Sequence, residues 1–236
     1  MVLLVLAGIV TFTIVHLTGK STANASSKLT PSASPSLSAS ASASPSPTSS
    51  GTATTCTYTP SPPASRKVSL PPAKPDLKAN YQATIKTNRG DIVINLLNSK
   101  APCTVNSFVH LASKNYFSNT SCHRLVTSGI FVLQCGDPTG TGSGGPGYKF
   151  ADENLAGATY PAATVAMANS GPGTNGSQFF LVYKNTKLPP NYTPFGTITA
   201  GLSVIQKVAA AGADSKTGDG HPKEKVVIES VTVKKT

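Results

Sequence analysis

From residue 81 onward apolar and polar residues alternate in short runs, and a helical period interrupts the alternation twice. Tyr81–Thr87 and Gly90–Leu97 read as two strands around a turn at Asn88-Arg89-Gly90. Thr104–Ser113 puts Val105, Phe108, Val109, Leu111 and Ala112 on one helical face, and Pro102 suits a first helical turn. The stretch from Cys122 to Cys135 alternates again on either side of a short loop at Val126–Gly129, then gives way to a glycine-rich loop starting at Gly136. Strands follow around Thr164–Ala168 and Gln178–Tyr183. A second amphipathic helix, Leu202–Ala211, shows Val204, Ile205, Val208 and Ala209 on one face, and Val226–Val233 is a last strand. Many strands, two helices and long loops predict a mainly β fold: a closed antiparallel barrel with helices over its ends.

The N-terminal part has neither period. Val2–Thr18 is a continuous apolar run broken only by Thr and His16, at the short edge of the roughly 17–25 residues that span a bilayer. Residues 1–19 are therefore expected to be a membrane segment. Lys20 and Lys28 follow it and, counted alone, would keep the rest of the chain inside the cell. Because the run begins at the first residue, the expectation adopted here is a basic segment further upstream and a domain outside the membrane. Ser21–Pro75 is dominated by Ser, Ala, Thr and Pro, too little apolar surface to offset chain entropy. Residues 20–77 then form a disordered tether, and residues 78–236 the folded domain.

Composition changes this picture little. Trp is absent, aromatics make up 6%, and Gly and Pro number 20 and 19, which argues against a large helical core. The net charge of +11 raises nucleic acid as a partner, but the basic residues form no long run and only Arg66, Arg89 and Arg124 are arginines. A solvated basic surface is the better reading, with no nucleic-acid site. Gly140–Gly145 satisfies G-x-G-x-x-G, yet no helix pattern follows it, so no dinucleotide site is expected. The four cysteines, Cys56, Cys103, Cys122 and Cys135, lack C-x-x-C spacing and form no zinc-ligand pattern, so no metal site is expected. They allow three full disulfide pairings: Cys122 and Cys135 flank the hairpin, and Cys103 is a competing partner. Candidate chemistry concentrates in two blocks, Cys122–Tyr148 and Met167–Phe180. There a lone arginine near aromatics, with Gln134 in the same block and Gln178 beside two phenylalanines in the second, points to a peptide-binding groove more than to a metal or phosphate site.

These blocks carry a resemblance. The His123-Arg124 pair, the run Phe131-x-x-Gln134-x-Gly136-Asp137, and MANSGPGTNGSQFF from Met167 to Phe180 resemble the cyclophilin family of peptidyl-prolyl isomerases. Weaker echoes flank them: ATIKTNRGDIVINLL from Ala83, APCTVNSFVHLA from Ala101, KFADENL from Lys149 and PFGTITAGLSVIQKVA from Pro194. The resemblance covers residues 78–236. It implies an eight-stranded closed antiparallel barrel with two capping helices, no cofactor and no metal, acting on proline-containing polypeptides.

It also implies a site. Rotation about the bond preceding proline has a barrier of about 18–20 kcal/mol, because the nitrogen lone pair is delocalised into the carbonyl. A donor aimed at that nitrogen stabilises the twisted state, where the pair is localised, more than the planar one. By resemblance Arg124 is that donor, Phe131 and Phe180 wall the proline pocket, and Gln134 positions the arginine. Val132, Met167, Ala168 and Asn169 match positions that contact substrate, as does His123, for which a structural role weighs equally. Between Arg124 and Phe131 the chain is about two residues longer than the family loop. The family's pocket tryptophan is replaced by Leu188, with Pro189 and Tyr192 at the neighbouring leucine and histidine positions, which implies weak cyclosporin sensitivity with activity retained. The expectation for the whole chain is a monomeric, single-pass membrane-tethered bacterial isomerase, its domain extracytoplasmic, serving exported or cell-surface proteins. The alternative is a non-catalytic proline-peptide-binding chaperone module that uses the same groove.

Overall fold

The structure, a computed structural model, describes residues 54–236. The expected membrane segment and the tether up to residue 53 lie outside the described residues. Among the described residues no helix is long and apolar enough to cross a membrane.

Period-two burial builds the strands. In chain order they are β1 (Thr59–Pro60), β2 (Tyr81–Thr87), β3 (Gly90–Leu96), β4 (Thr120–Ser121), β5 (Arg124–Val126), β6 (Val132–Cys135) and β7 (Tyr148–Lys149), then β8 (Thr164–Met167), β9 (Phe179–Val182), β10 (Pro194–Ala200), β11 (Asp219–Gly220) and β12 (Val227–Lys235). The helices are α1 (Pro102–Ser113), which starts on its proline, and α2 (Leu202–Ala211). In β2 and β3, Ala83, Ile85, Ile92, Ile94 and Leu96 are buried in one core with Val105, Phe108 and Leu111 of α1 and Ile205 and Val208 of α2. Helix α1 has alanine at its N-cap. The carboxylate of Glu153 caps it instead, accepting from the Cys103 and Thr104 N–H groups at 3.0 and 2.7 Å.

The main sheet has ten strands in the order β11-β5-β6-β9-β8-β10-β3-β2-β12-β4, and β1 pairs separately with β7. This corrects the expected closed eight-stranded barrel. The sheet curls into a half-barrel, and no ladder joins its two ends among the described residues. The reason lies in residues 120–126: the stretch pairs with β12 at its start and with β6 at its end, while β11 takes the other edge of β5. The chain itself, rather than a row of hydrogen bonds, passes between the two sides.

A second correction concerns the tether. From residue 54 the chain is packed against the domain as a strap. Cys56 forms a disulfide with Cys103 of α1, and Cys122 forms one with Cys135. The Tyr58 ring lies edge-on to Tyr148 and Phe150, with centroids 5.5 and 5.6 Å away. The Arg66 guanidinium donates to the carbonyls of Asn115, Tyr116 and Ser118 just beyond α1. These cysteine, aromatic and arginine side chains supply the burial and bonding that hold the strap in place.

Candidate functional site

Strands β8 and β9 are buried on both faces because the sheet carries two apolar clusters. Val165, Met167, Phe179 and Leu181 point into the main core, while Ala166, Phe180 and Val182 join Val126 and Val132 in a smaller outer cluster. Register then aligns the polar groups. Arg124 pairs with Gln134, Gln134 with Phe180, and Phe180 with Ala166, one row across four neighbouring strands. Residues paired across a ladder share a face, so the arginine and glutamine stand beside an aromatic ring on the outer surface.

Loops complete the outer cluster. Leu188, Tyr192, Ala168 and Ile130 pack against it, with the Tyr192 ring 5.6 Å from that of Phe180. The Tyr160 hydroxyl donates to the Tyr192 carbonyl at 2.8 Å and accepts the Tyr192 N–H at 3.1 Å. Asn169 donates to the Asn191 carbonyl at 2.8 Å, tying the two loops together at the rim.

A hydrogen-bond relay orients the arginine. The Gln178 side-chain amide donates to the carbonyls of Gly142 and Gly144 at 2.8 and 2.9 Å. Its oxygen accepts from Gln134 Nε2 at 2.8 Å, and Gln134 Oε1 accepts from Arg124 Nη1 at 3.3 Å. On its other side Arg124 grips Asp219 in a fork, Nε to Oδ1 at 2.8 Å and Nη2 to Oδ2 at 2.7 Å. The hydrogen bond to Asp219 holds the arginine's pKa above its ordinary value and the aspartate's below its own. Three of the five guanidinium N–H groups are thereby engaged, which leaves two for a ligand on the half-exposed outer side.

The glycine-rich loop that receives Gln178 is built around one buried carboxylate. Asp137 accepts from the Thr139 N–H and hydroxyl and from the Gly142 and Gly144 N–H groups at 2.7–3.0 Å. A side chain at Gly144 would overlap this carboxylate. Burial by itself raises the Asp137 pKa, but the Thr139 hydroxyl and the loop N–H groups outweigh it and hold the acid below its ordinary value. The group is therefore ionised and stabilising above about pH 4, and its contribution is lost as pH falls through the depressed folded pKa. Asp137→Asn is expected to lower stability by about 1–3 kcal/mol at pH 7. It should also reduce the acid sensitivity of urea unfolding below about pH 4. An unchanged midpoint across that range would remove Asp137 as the organiser of the loop.

The outer face thus collects Arg124, Gln134, Val132, Ala168, Asn169, Phe180, Leu188 and Tyr192 from the sequence-based set. Phe131 and Met167 sit elsewhere, and His123, though buried, lines one cavity with Arg124, Gln134 and Asp219. Phe131 packs with the main core, its ring 6.0 Å from Tyr183 and beneath Lys184 Nζ at 4.5 Å, while Ile130 takes the outer position. Strand alternation is the cause, since Phe131 and Val132 face opposite ways and the longer preceding loop brings Ile130 round. Met167 points inward for the same reason. His123 is buried beneath the glycine loop, with neither ring nitrogen hydrogen-bonded among the described residues. Burial pushes the imidazole pKa down, against the pull of the Asp137 carboxylate. Asp219 and Ile130 escaped sequence reasoning. Gln178 stands two residues before Phe180, a spacing that places it on the same strand face.

Comparisons with known proteins bear on the family and the fold. The family model "Cyclophilin type peptidyl-prolyl cis-trans isomerase/CLD" matches residues 82–233. A relative in Mycobacterium leprae named "Probable peptidyl-prolyl cis-trans isomerase B" is 49% identical, covering 72% of this chain and 60% of its own. The chain thus spans about three fifths of that relative's length. Peptidyl-prolyl cis-trans isomerase B of Streptomyces anulatus is 46% identical over 64% of this chain and 95% of its own. A crystal structure of a Cryptosporidium parvum cyclophilin-type isomerase superposes with a TM-score of 0.60 at 31% identity, covering 66% of this chain and 99% of that one. Another structure of the same protein, in the presence of the dipeptide Ala-Pro, gives a TM-score of 0.59. The family model and these relatives show the family: the chain belongs to the cyclophilin-type peptidyl-prolyl cis-trans isomerases.

Proposed function

We propose that this protein catalyses cis–trans isomerisation of X-Pro bonds in polypeptides, with Arg124 as the donor to the proline nitrogen. The observation that carries the reading is the row Arg124–Gln134–Phe180, with two guanidinium N–H groups unengaged beside an aromatic ring. Phe180, Val132, Leu188 and Tyr192 form the apolar surface on which the proline ring rests, and Ala168 and Asn169 hold the flanking backbone. The reaction needs no nucleophile and no metal. A fixed donor suffices, because it interacts more strongly with the localised lone pair of the twisted amide than with the planar amide.

We further read the chain as a monomeric, membrane-tethered bacterial protein whose domain works outside the membrane on exported or cell-surface proteins. The apolar run at Val2–Thr18 supports the tether. Two disulfides support an oxidising compartment.

The test is cis–trans exchange of an X-Pro peptide followed by NMR with and without the full chain. Acceleration supports the isomerase. Peptide binding with no acceleration would leave a binding module using the same groove. With Leu188 in place of an indole, the same assay should show weak inhibition by cyclosporin, and complete inhibition by one equivalent of drug at low concentration would contradict the pocket described here.

A further inference from the structure

Residues 54–66 lie before the stretch that matches the family model, yet they run along the glycine-rich loop and reach the site. Ser61 and Ser65 donate their backbone N–H groups to Gly147 and Gly145, each at 2.8 Å, and the Gly145 N–H returns a bond to the Ser65 hydroxyl at 2.9 Å. Between these anchors Pro62 and Pro63 line a cavity of about 610 Å3. Its other walls are the glycine-rich loop, Asn169, Ser170 and the side chains of Gln134 and Gln178. The cavity therefore adjoins the relay that orients Arg124 and extends from there to the strap. Its volume falls within the ordinary range for a ligand cleft.

The strap wall is preorganised. Cys56 is bonded to Cys103, β1 is paired with β7, and Arg66 holds three carbonyls beyond α1. The two prolines cannot vary φ and keep an apolar edge toward the cavity. Opposite them stand peptide groups, hydroxyls and side-chain amides. Such a cleft suits an extended peptide backbone with small or polar side chains, and a wall already fixed in place loses little entropy when a ligand binds.

We propose that Ser61, Pro62 and Pro63 form a wall of the substrate cleft and touch polypeptide residues that flank the isomerised bond. The protein then recognises a longer stretch of chain than the proline and its immediate neighbour. This rests on the isomerase groove proposed above.

The test uses the full chain and two probes, acetyl-Ala-Pro-amide and a nine-residue peptide of Ala, Ser and Gly with the same Ala-Pro at its centre. In NMR titrations the long peptide should shift the amide signals of Ser61, Ala64 and Ser65, and the short one should leave them in place while still shifting that of Phe180. The double variant Pro62→Gly/Pro63→Gly should raise KM for the long peptide about fivefold and hold kcat within about twofold, with both parameters for the short probe unchanged. A merely structural strap would alter both probes alike, and that outcome overturns the proposal. Strap signals that ignore the long peptide while Phe180 responds would also overturn it, even if the double variant does not fold. Were neither peptide's exchange accelerated by the parent, the isomerase reading would fail, and the shift comparison would still decide the wall.

Discussion

Arg124→Ala is expected to slow catalysed X-Pro exchange by roughly 100- to 1,000-fold, the scale associated with losing one aimed donor from a preorganised site. The side chain sits in the outer-face row with Gln134 and Phe180, and Asp219 and Gln134 fix the plane of its fork while two N–H groups stay unengaged. The effect should fall on kcat rather than on peptide affinity, because Phe180, Val132, Leu188 and Tyr192 still form the apolar surface. Stability should change little, since the ion pair with Asp219 is about 40% exposed on both sides. Arg124→Lys is expected to rescue poorly. An ammonium group has no plane for the Asp219 fork to hold and cannot bond Asp219 and Gln134 with the same fixed geometry. Two-dimensional exchange NMR on parent and variants gives the rates, and a titration on the same samples gives affinity. An alanine variant that kept the parent rate would remove Arg124 from the mechanism.

The double variant Cys56→Ser/Cys103→Ser is expected to lose about 3–4 kcal/mol of stability, the chain-entropy estimate for a bond that spans 47 residues. The bond ties the strap to the first turn of α1. The Tyr58 hydroxyl donates to the Cys103 carbonyl at 2.8 Å and accepts from Asn106 at 2.9 Å in the same place. Urea unfolding followed by circular dichroism gives the midpoint. Reducing agent on the parent should shift it further, because it also opens Cys122–Cys135, across 13 residues. A double variant as stable as the parent would mean that the Tyr58 and Arg66 contacts suffice to hold the strap.

Much of the site was legible because strand alternation is local. Gln134 and Val132 lie two apart in one strand, and Gln178, just before β9, lies two before Phe180, so each pair shares a face wherever the extended chain packs. Helix α2 was equally legible, since its apolar positions define the buried stripe without any partner, and it occupies Leu202–Ala211 as its period predicts. Which face meets the core is a different matter. Met167 in β8 and Phe131 just before β6 are apolar residues that could serve either side of the sheet. Only the placement of the sheet between two clusters sent Met167 inward, left Phe131 half-buried against the main core and put Ile130 outward.

The sequence by itself determined the longer strands and both helices, the face shared by Gln178 and Phe180, and Arg124 as the expected donor, because each rests on short-range period or on contiguous motifs. Tertiary structure decided what depends on distant segments. Asp219 reaches Arg124 from 95 residues away through a two-residue strand that no local pattern announces. Of the three disulfide pairings, packing selected Cys56–Cys103 and Cys122–Cys135 by bringing their Cα atoms to 5.3 and 4.0 Å. The strap at 54–77 belongs by composition to the Ser/Ala/Thr/Pro-rich stretch that precedes it. Its order comes from a few side chains whose partners lie elsewhere in the chain, and composition cannot register a contact between residues far apart in sequence.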